Sequence, residues 1–450
     1  MNNKQYIERD LSVLWHPCTQ MKDHESVPMI PIQRGEGVWL YDYDGKRYLD
    51  AISSWWVNLF GHCNPRINDA LKQQLDTLEH VILAGFTHEP VIELSERLVA
   101  LTPPGLQHCF YADNGSSAVE VALKMSFHYW LNTGQAQKTK FINLSNSYHG
   151  ETLGALAVGD VSLYKDTYAP LLLQPITVKS PDCYLREIDE SCHDYSVRLF
   201  EEMRATLEQH ADEVCAVIIE PLVQCAGNMR MYDPVYLSLL RKACDEFNVH
   251  LIADEIAVGF GRSGTLFACE QASISPDFMC LSKGLTGGYL PLSTVMTTEK
   301  IYQAFYDDYT RMNAFLHSHS YTGNALACRA AIATLDIFEQ DDVITNNKHL
   351  AHLMAESVKE LEDHPHVGEI RQTGMILAIE MVKDKSTREA FPWQQRIGLD
   401  VYQRAINQGA LLRPLGNVIY FMPPYVITDD QIKQMATVAI DCIHAATQNA

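Results

Sequence analysis

Apolar residues along this 450-residue chain change their spacing several times, and each change predicts a different kind of structure. From 29 to about 52 they alternate with polar ones, and Asp44-Gly45 breaks the alternation with a hairpin-turn pair. A period of two predicts a small antiparallel meander. Asn64-Pro65 then opens a stretch in which Ile67, Leu71, Leu75 and Leu78 share one helical face. Asn64 suits an N-cap, so a helix is expected through about 81. Further on, short apolar runs alternate with helical periodicity. Strands are expected at 108–112, 140–144, 174–178, 215–219, 249–253 and 278–281, and helices at 116–131, 197–210 and 234–247. Cys215-Ala216-Val217-Ile218-Ile219 is apolar throughout, as suits a strand covered on both faces. This alternation implies an α/β protein with a mostly parallel central sheet covered by helices.

After about residue 330 the texture changes. Long helices at 325–339, 343–362, 393–407 and 429–444 frame short strands at 375–381 and 418–421. That pattern suits a smaller α+β domain, which the early meander is expected to join. The expected organisation is an N-terminal segment with part of the small domain (1–65), a large domain (66–330) and the rest of the small domain (331–450). Residues 1–25 are polar apart from a Trp15-His16-Pro17-Cys18 island, which suggests a segment that docks on something.

Composition narrows the function more than the fold. With 35 basic and 56 acidic residues the formal charge is −21, which argues against a nucleic-acid or anionic-membrane surface. No apolar run approaches the roughly twenty residues that a membrane span needs, and the start of the chain shows no secretory leader. The twelve cysteines are scattered with no C-x-x-C pair, so no metal site is expected. They read as reduced core thiols of a cytoplasmic protein.

Candidate chemistry gathers at the ends of the predicted strands. Lys283 follows the apolar run 278–281 and precedes Gly284, Gly287 and Gly288. Apolar surroundings lower an ammonium pKa, and a free amine can form a Schiff base with an aldehyde. On its own the stretch fits a surface lysine beside a glycine turn equally well. Asp254-Glu255 ends another buried run, where one carboxylate could hold a cation such as a protonated pyridine nitrogen. Which of the two does so is open from spacing alone. Asn114-Gly115-Ser116-Ser117 lies at a strand-to-helix turn, a ready anion site for a phosphate as well as an ordinary N-cap. Tyr148 follows the strand at 140–144 and could stack on a flat ring. Trp55 and Trp56, if in a strand, point to opposite faces, so that one is core and the other lines a pocket. Arg413 suits a substrate carboxylate. Gly259-Phe260-Gly261-Arg262-Ser263-Gly264 matches G-x-G-x-x-G, but no helical start follows and two carboxylates precede it. It reads as a turn, and a nicotinamide dehydrogenase built on it stays a weak alternative. Lysine, carboxylate and helix N-terminus together are what a pyridoxal 5'-phosphate (PLP) enzyme needs.

These motifs resemble the class III PLP-dependent aminotransferases of fold type I. The resemblance rests on Ser53-Ser54-Trp55-Trp56, Asn114-Gly115-Ser116, Tyr148-His149-Gly150, Ile219-Glu220-Pro221, Ala253-Asp254-Glu255, Ser282-Lys283-Gly284 and Tyr321-Thr322-Gly323-Asn324. The paired tryptophans, Arg413 and Met422-Pro423-Pro424-Tyr425 are similar to the biotin-synthesis branch of that family. The resemblance implies transfer of an amino group to the ketone of 8-amino-7-oxononanoate, with S-adenosylmethionine as donor. Lysine as donor, or another diamine or ω-amino acid as substrate, remain alternatives.

Position by position, it implies that Lys283 carries the cofactor and moves the proton, and that Asp254 pairs with the ring nitrogen. Gly115 and Ser116 bind phosphate, and Tyr148 stacks on the ring and meets substrate. Trp55 lines the substrate pocket with Trp56 beside it, and Arg413 holds a substrate carboxylate. It implies a homodimer with shared sites, in which Ser318, His319 and Ser320 reach the neighbouring subunit's phosphate and substrate. Three positions depart from the family pattern: Cys18 where a substrate-binding tyrosine is common, Glu151 for an aspartate, and Ser318-His319-Ser320 for Gly-Pro-Thr.

Overall fold

The computed structural model describes residues 1–27 and 29–448, so the last two positions of the 331–450 segment fall outside it. The chain forms two units. One comprises 66–348 with 371–376, and the other comprises 1–65, 349–370 and the chain from 377 onward.

The first unit is built on a seven-stranded sheet. In chain order its strands are β1 (Leu106–Ala112), β2 (Lys140–Leu144), β3 (Ile176–Val178), β4 (Val214–Ile219), β5 (His250–Asp254), β6 (Phe278–Leu281) and β7 (Ser293–Thr298). Their order across the sheet is β1-β7-β6-β5-β4-β2-β3. β4, β5 and β6 are buried at every position, as the wholly apolar β4 and β6 require, and β5 adds the buried polar His250 and Asp254 at its ends. Pairings from β6 through to β3 are parallel, with Ile252 opposite both Ile218 and Phe278. β7 runs antiparallel to β6 and to β1. Two reversals in succession leave β1 pointing the same way as β6. The carboxyl ends of β1, β2, β4, β5 and β6 therefore share one edge, where open α/β sheets bind ligands. The helix α1 (Gly115–Asn132) follows β1 and buries Val119, Ala122 and Trp130 against the sheet core.

The second unit carries the meander Ile32–Glu36, Trp39–Asp42 and Arg47–Asp50, which Ala410–Leu411 extends by parallel pairing of Ala410 with Leu49. The early meander thus pairs with a strand near the C-terminal end of the chain.

Several expectations are corrected. The helix after Asn64 ends at Leu75, not near 81, because the buried Gln74 side chain donates to Leu78 O (2.8 Å) and stops the turn there. β7 was not anticipated, since Ser-Thr-Val-Met-Thr-Thr shows no apolar run, yet its β-branched Thr294 and Thr297 are buried. The cysteines are not all thiols: Cys183 and Cys192 form a disulfide. A short 3-10 turn (Cys183–Leu185) and the start of the helix Cys192–His210 bring their Cα atoms to 5.3 Å, within bridging range. Among the described residues no helix is long and apolar enough to cross a membrane.

Candidate active site

The turn after β1 prepares an anion site. Asn114 caps α1 by accepting from Ser117 N (3.1 Å), which leaves first-turn N–H groups pointing outward. Gly150 has φ +130°, and a Cβ there would collide with Ser116 Oγ. Only glycine permits that approach, which lets Glu151 N donate to Ser116 Oγ (3.2 Å).

The segment 148–151, beyond β2, ties this turn to two other strand ends. Tyr148 N donates to Glu220 Oε1 (2.9 Å), at the end of β4. His149 Nδ1 donates to Asp254 Oδ2 (2.7 Å), at the end of β5. Tyr148 OH reaches Glu151 Oε1 (3.0 Å) and leaves the ring partly exposed. His149 and Asp254 are both buried. Neither His149 nor Glu220 was given a role from sequence. The available signal was a carboxylate closing the apolar run of β4, the same signal that marked Asp254.

Of the Asp254-Glu255 pair, Asp254 turns toward His149. Glu255 turns away and accepts from Ala268 N (2.9 Å) and Cys269 N (2.8 Å). Burial pushes Glu255 up to about 7. Gly259 packs against the Glu255 side chain, and Phe260 and Phe267 meet edge to face. A glycine loop set beside a buried acid is a poor pyrophosphate site.

Lys283 opens a 3-10 turn at the end of β6 with φ 46°, a left-handed conformation uncommon outside glycine. Burial lowers its pKa, while Asp254, Cys225 and Glu220 oppose the shift. A lowered pKa raises the fraction of free amine at neutral pH. Glu220 is moved the other way: burial, then the nearby Asp254, pushes it up to about 8. An amine, a buried acid and a helix N-terminus at one sheet edge are the groups that the aldehyde, ring nitrogen and phosphate of PLP would need.

The loop 317–320 lies against the turn after β1 and the helix α1 of its own chain. Lys124 Nζ donates to His317 Nδ1 (2.8 Å), and His317 Nε2 meets His319 Nε2 (2.9 Å). His319 Nδ1 lies 3.4 Å from Asp113 Oδ2. Ser318 and Ser320 are exposed.

The remaining candidates belong to the second unit. Trp55 and Trp56 are not in a strand. Ser53, Ser54, Trp55 and Trp56 have φ 51°, 48°, 73° and 73°, a turn of left-handed helix. Such a conformation costs roughly 1–2 kcal/mol per residue. It still separates the indoles. Trp56 is 4% exposed, with Nε1 donating to Tyr420 OH (3.0 Å), whereas Trp55 is 39% exposed. Trp55 is therefore the member of the pair open to a substrate. The Arg413 guanidinium lies 4.9 Å from the Trp55 ring centroid. Arg413 also lines a cavity of about 1040 Å³ with Cys18, His16, Asp10 and Tyr43. The leader thus docks on its own unit, where Asp23 grips Arg396 through both carboxylate oxygens (3.1 and 2.5 Å).

Comparison with known proteins gives a consistent result. The family model "Aminotransferase class-III" matches residues 20–443. The chain is 50% identical over 430 residues to the adenosylmethionine-8-amino-7-oxononanoate aminotransferase of Helicobacter pylori, covering 94% of each chain. It is similar to the crystal structure of the Methanocaldococcus jannaschii enzyme of that name, at TM-score 0.93, 38% identity and 99% coverage of each chain. It is also similar to the omega transaminase of Pseudomonas jessenii in complex with PMP, at TM-score 0.93, 28% identity and 98% coverage of each.

Proposed function

This chain belongs to the class III aminotransferases, and from that premise we propose that it aminates the ketone of 8-amino-7-oxononanoate to give 7,8-diaminononanoate, a step of biotin synthesis, with S-adenosylmethionine as donor. The names of its relatives support the acceptor. The observation that carries the chemistry is the convergence of Lys283, Asp254 and the Gly115–Ser116 turn on one edge of the sheet.

Class III aminotransferases use PLP, which when bound supplies the electron sink for a proton leaving the carbon beside nitrogen. In this chain Gly115 and Ser116 would hold its phosphate, Asp254 its ring nitrogen, Tyr148 its ring face and Lys283 its aldehyde. His149 fixes the carboxylate of Asp254 through Nδ1–H, so the acid keeps its orientation while charge changes nearby. The Lys283 Nζ, its pKa lowered by burial, takes the proton from the donor carbon and returns it during the second half-reaction. Arg413 and Trp55 are assigned to substrate recognition, the guanidinium pairing with a carboxylate, and Cys18 to the rim of the adjoining cavity.

The reading sets the protein in the cytoplasm as a homodimer. Ten of its twelve cysteines are unbridged, in keeping with a reducing compartment. Exposed Tyr309, Met312 and Leu316 flank the 318–320 loop, an apolar surface suited to a second copy. Ser318, His319 and Ser320 are then assigned to the partner's substrate and phosphate.

The test is a coupled assay with 8-amino-7-oxononanoate, run with S-adenosylmethionine and separately with lysine. Wild type should turn over with the first donor and take a covalent label on borohydride reduction; Lys283→Ala should do neither. Sustained turnover by Lys283→Ala sinks the assignment, and activity with lysine alone replaces the donor.

A further inference from the structure

The left-handed turn that carries Trp55 is held by two residues to which no role has yet been given. We infer that Asp50 and His62 form a positioning pair that fixes Trp55, and through it Arg413, for substrate recognition; the inference rests on the proposed substrate role of Trp55 and Arg413.

Asp50 is fully buried and meets three donors. Ser54 N donates to Oδ1 (2.9 Å), and Ser54 Oγ (2.7 Å) and His62 Nε2 (2.9 Å) both reach Oδ2. On the far side of His62, Asn58 Nδ2 donates to Nδ1 (3.2 Å), which fixes the imidazole with its proton on Nε2, toward Asp50. Asn58 is itself part of the turn, its N–H bonding Ser53 O (3.1 Å). The ring thus bridges the carboxylate before the turn and the amide after it. Ser53 Oγ donates to Met422 O (2.7 Å), and Trp56 Nε1 to Tyr420 OH. Ser53, Ser54 and Trp56 are thus pinned through their own side chains. Trp55 is left with its ring under the Arg413 guanidinium and its other surface open. Left-handed backbone at four successive non-glycine residues persists only where surrounding groups over-determine it, and such strain gathers at ligand clamps. Asp50 contributes two of those restraints to Ser54 alone.

Asp50→Asn puts an amide N–H against one of its donors, so the restraint on Ser54 or on His62 is lost with little change of shape. The expected result is a rise of about tenfold in KM for 8-amino-7-oxononanoate, with kcat and the bound-cofactor absorbance retained. Adding Ser54→Gly to Asp50→Asn should bring KM back toward wild type, because glycine adopts positive φ without support. Unchanged KM in folded Asp50→Asn overturns the proposal, as does a joint fall of kcat and cofactor content, or a KM that the glycine leaves unmoved. Where Asp50→Asn does not fold, His62→Gln is read in the same way. Arg413→Ala and Trp55→Ala run in parallel. If they leave KM unchanged, the substrate reading itself fails; if they raise it while Asp50→Asn does not, only the positioning pair fails.

Discussion

A carboxyl group that accepts a backbone N–H on each oxygen is ordinarily held ionised, yet Glu220, bonded to Tyr148 N and Cys225 N (3.0 Å), is pushed up to about 8. Full burial and the charge of Asp254 outweigh the two donors. The sign of the consequence follows from linkage. An unfolded glutamate loses its proton near 4.5, while the folded one keeps it up to about 8. The stability this group provides is therefore complete in acid and declines as pH rises between those values. Glu220→Gln removes the titration and one acceptor, a loss of about 1 kcal/mol. In urea unfolding the variant should be less stable than wild type at pH 5, with the gap narrowing or reversing at pH 9. A gap that does not change with pH would show that Glu220 is ionised throughout. Lys283 shifts in the opposite sense for the same reason, since burial penalises whichever form is charged.

At the scale of elements, α1 depends on its cap. Asn114→Ala should cost about 1 kcal/mol and weaken retention of PLP on dilution, and Asn114→Asp should recover most of the stability. Equal losses for both variants would mean that the cap bond contributes nothing. The cap was legible in the sequence because a helix start is a local signal. So were β4, β5 and β6, whose apolar runs are buried along their whole length. What stayed hidden was non-local or angular. His149 bonds a residue 105 positions away and Tyr148 one 72 positions away, and no spacing along the chain encodes such pairs. Hydropathy records which side chains are apolar but not the sign of φ, so the left-handed turn that separates Trp55 from Trp56 could not be read from their spacing. β7 stayed hidden because threonine is neither apolar by count nor excluded from a buried strand.

For the whole molecule, the proposed shared site has a direct consequence. Lys283→Ala and His319→Ala should each be inactive or nearly so, and a remixed sample should regain part of the wild-type rate, because a hybrid dimer holds one site free of both changes. No recovery would mean that the 317–320 loop serves its own chain, through Asp113 and Lys124. The division of the chain into units carries a further consequence, in time. Lys46 Nζ bonds Ile406 O across 360 positions, and Leu49 pairs with Ala410. At a synthesis rate of about 5–20 residues per second, the N-terminal meander leaves the ribosome tens of seconds before its partner strand. The seven-stranded sheet is complete by Thr298, long before the chain ends. Ribosome-bound chains are therefore expected to carry a formed sheet and a waiting N-terminus, whose Trp56 stays without its Tyr420 partner until the strand Val418–Phe421 has been made.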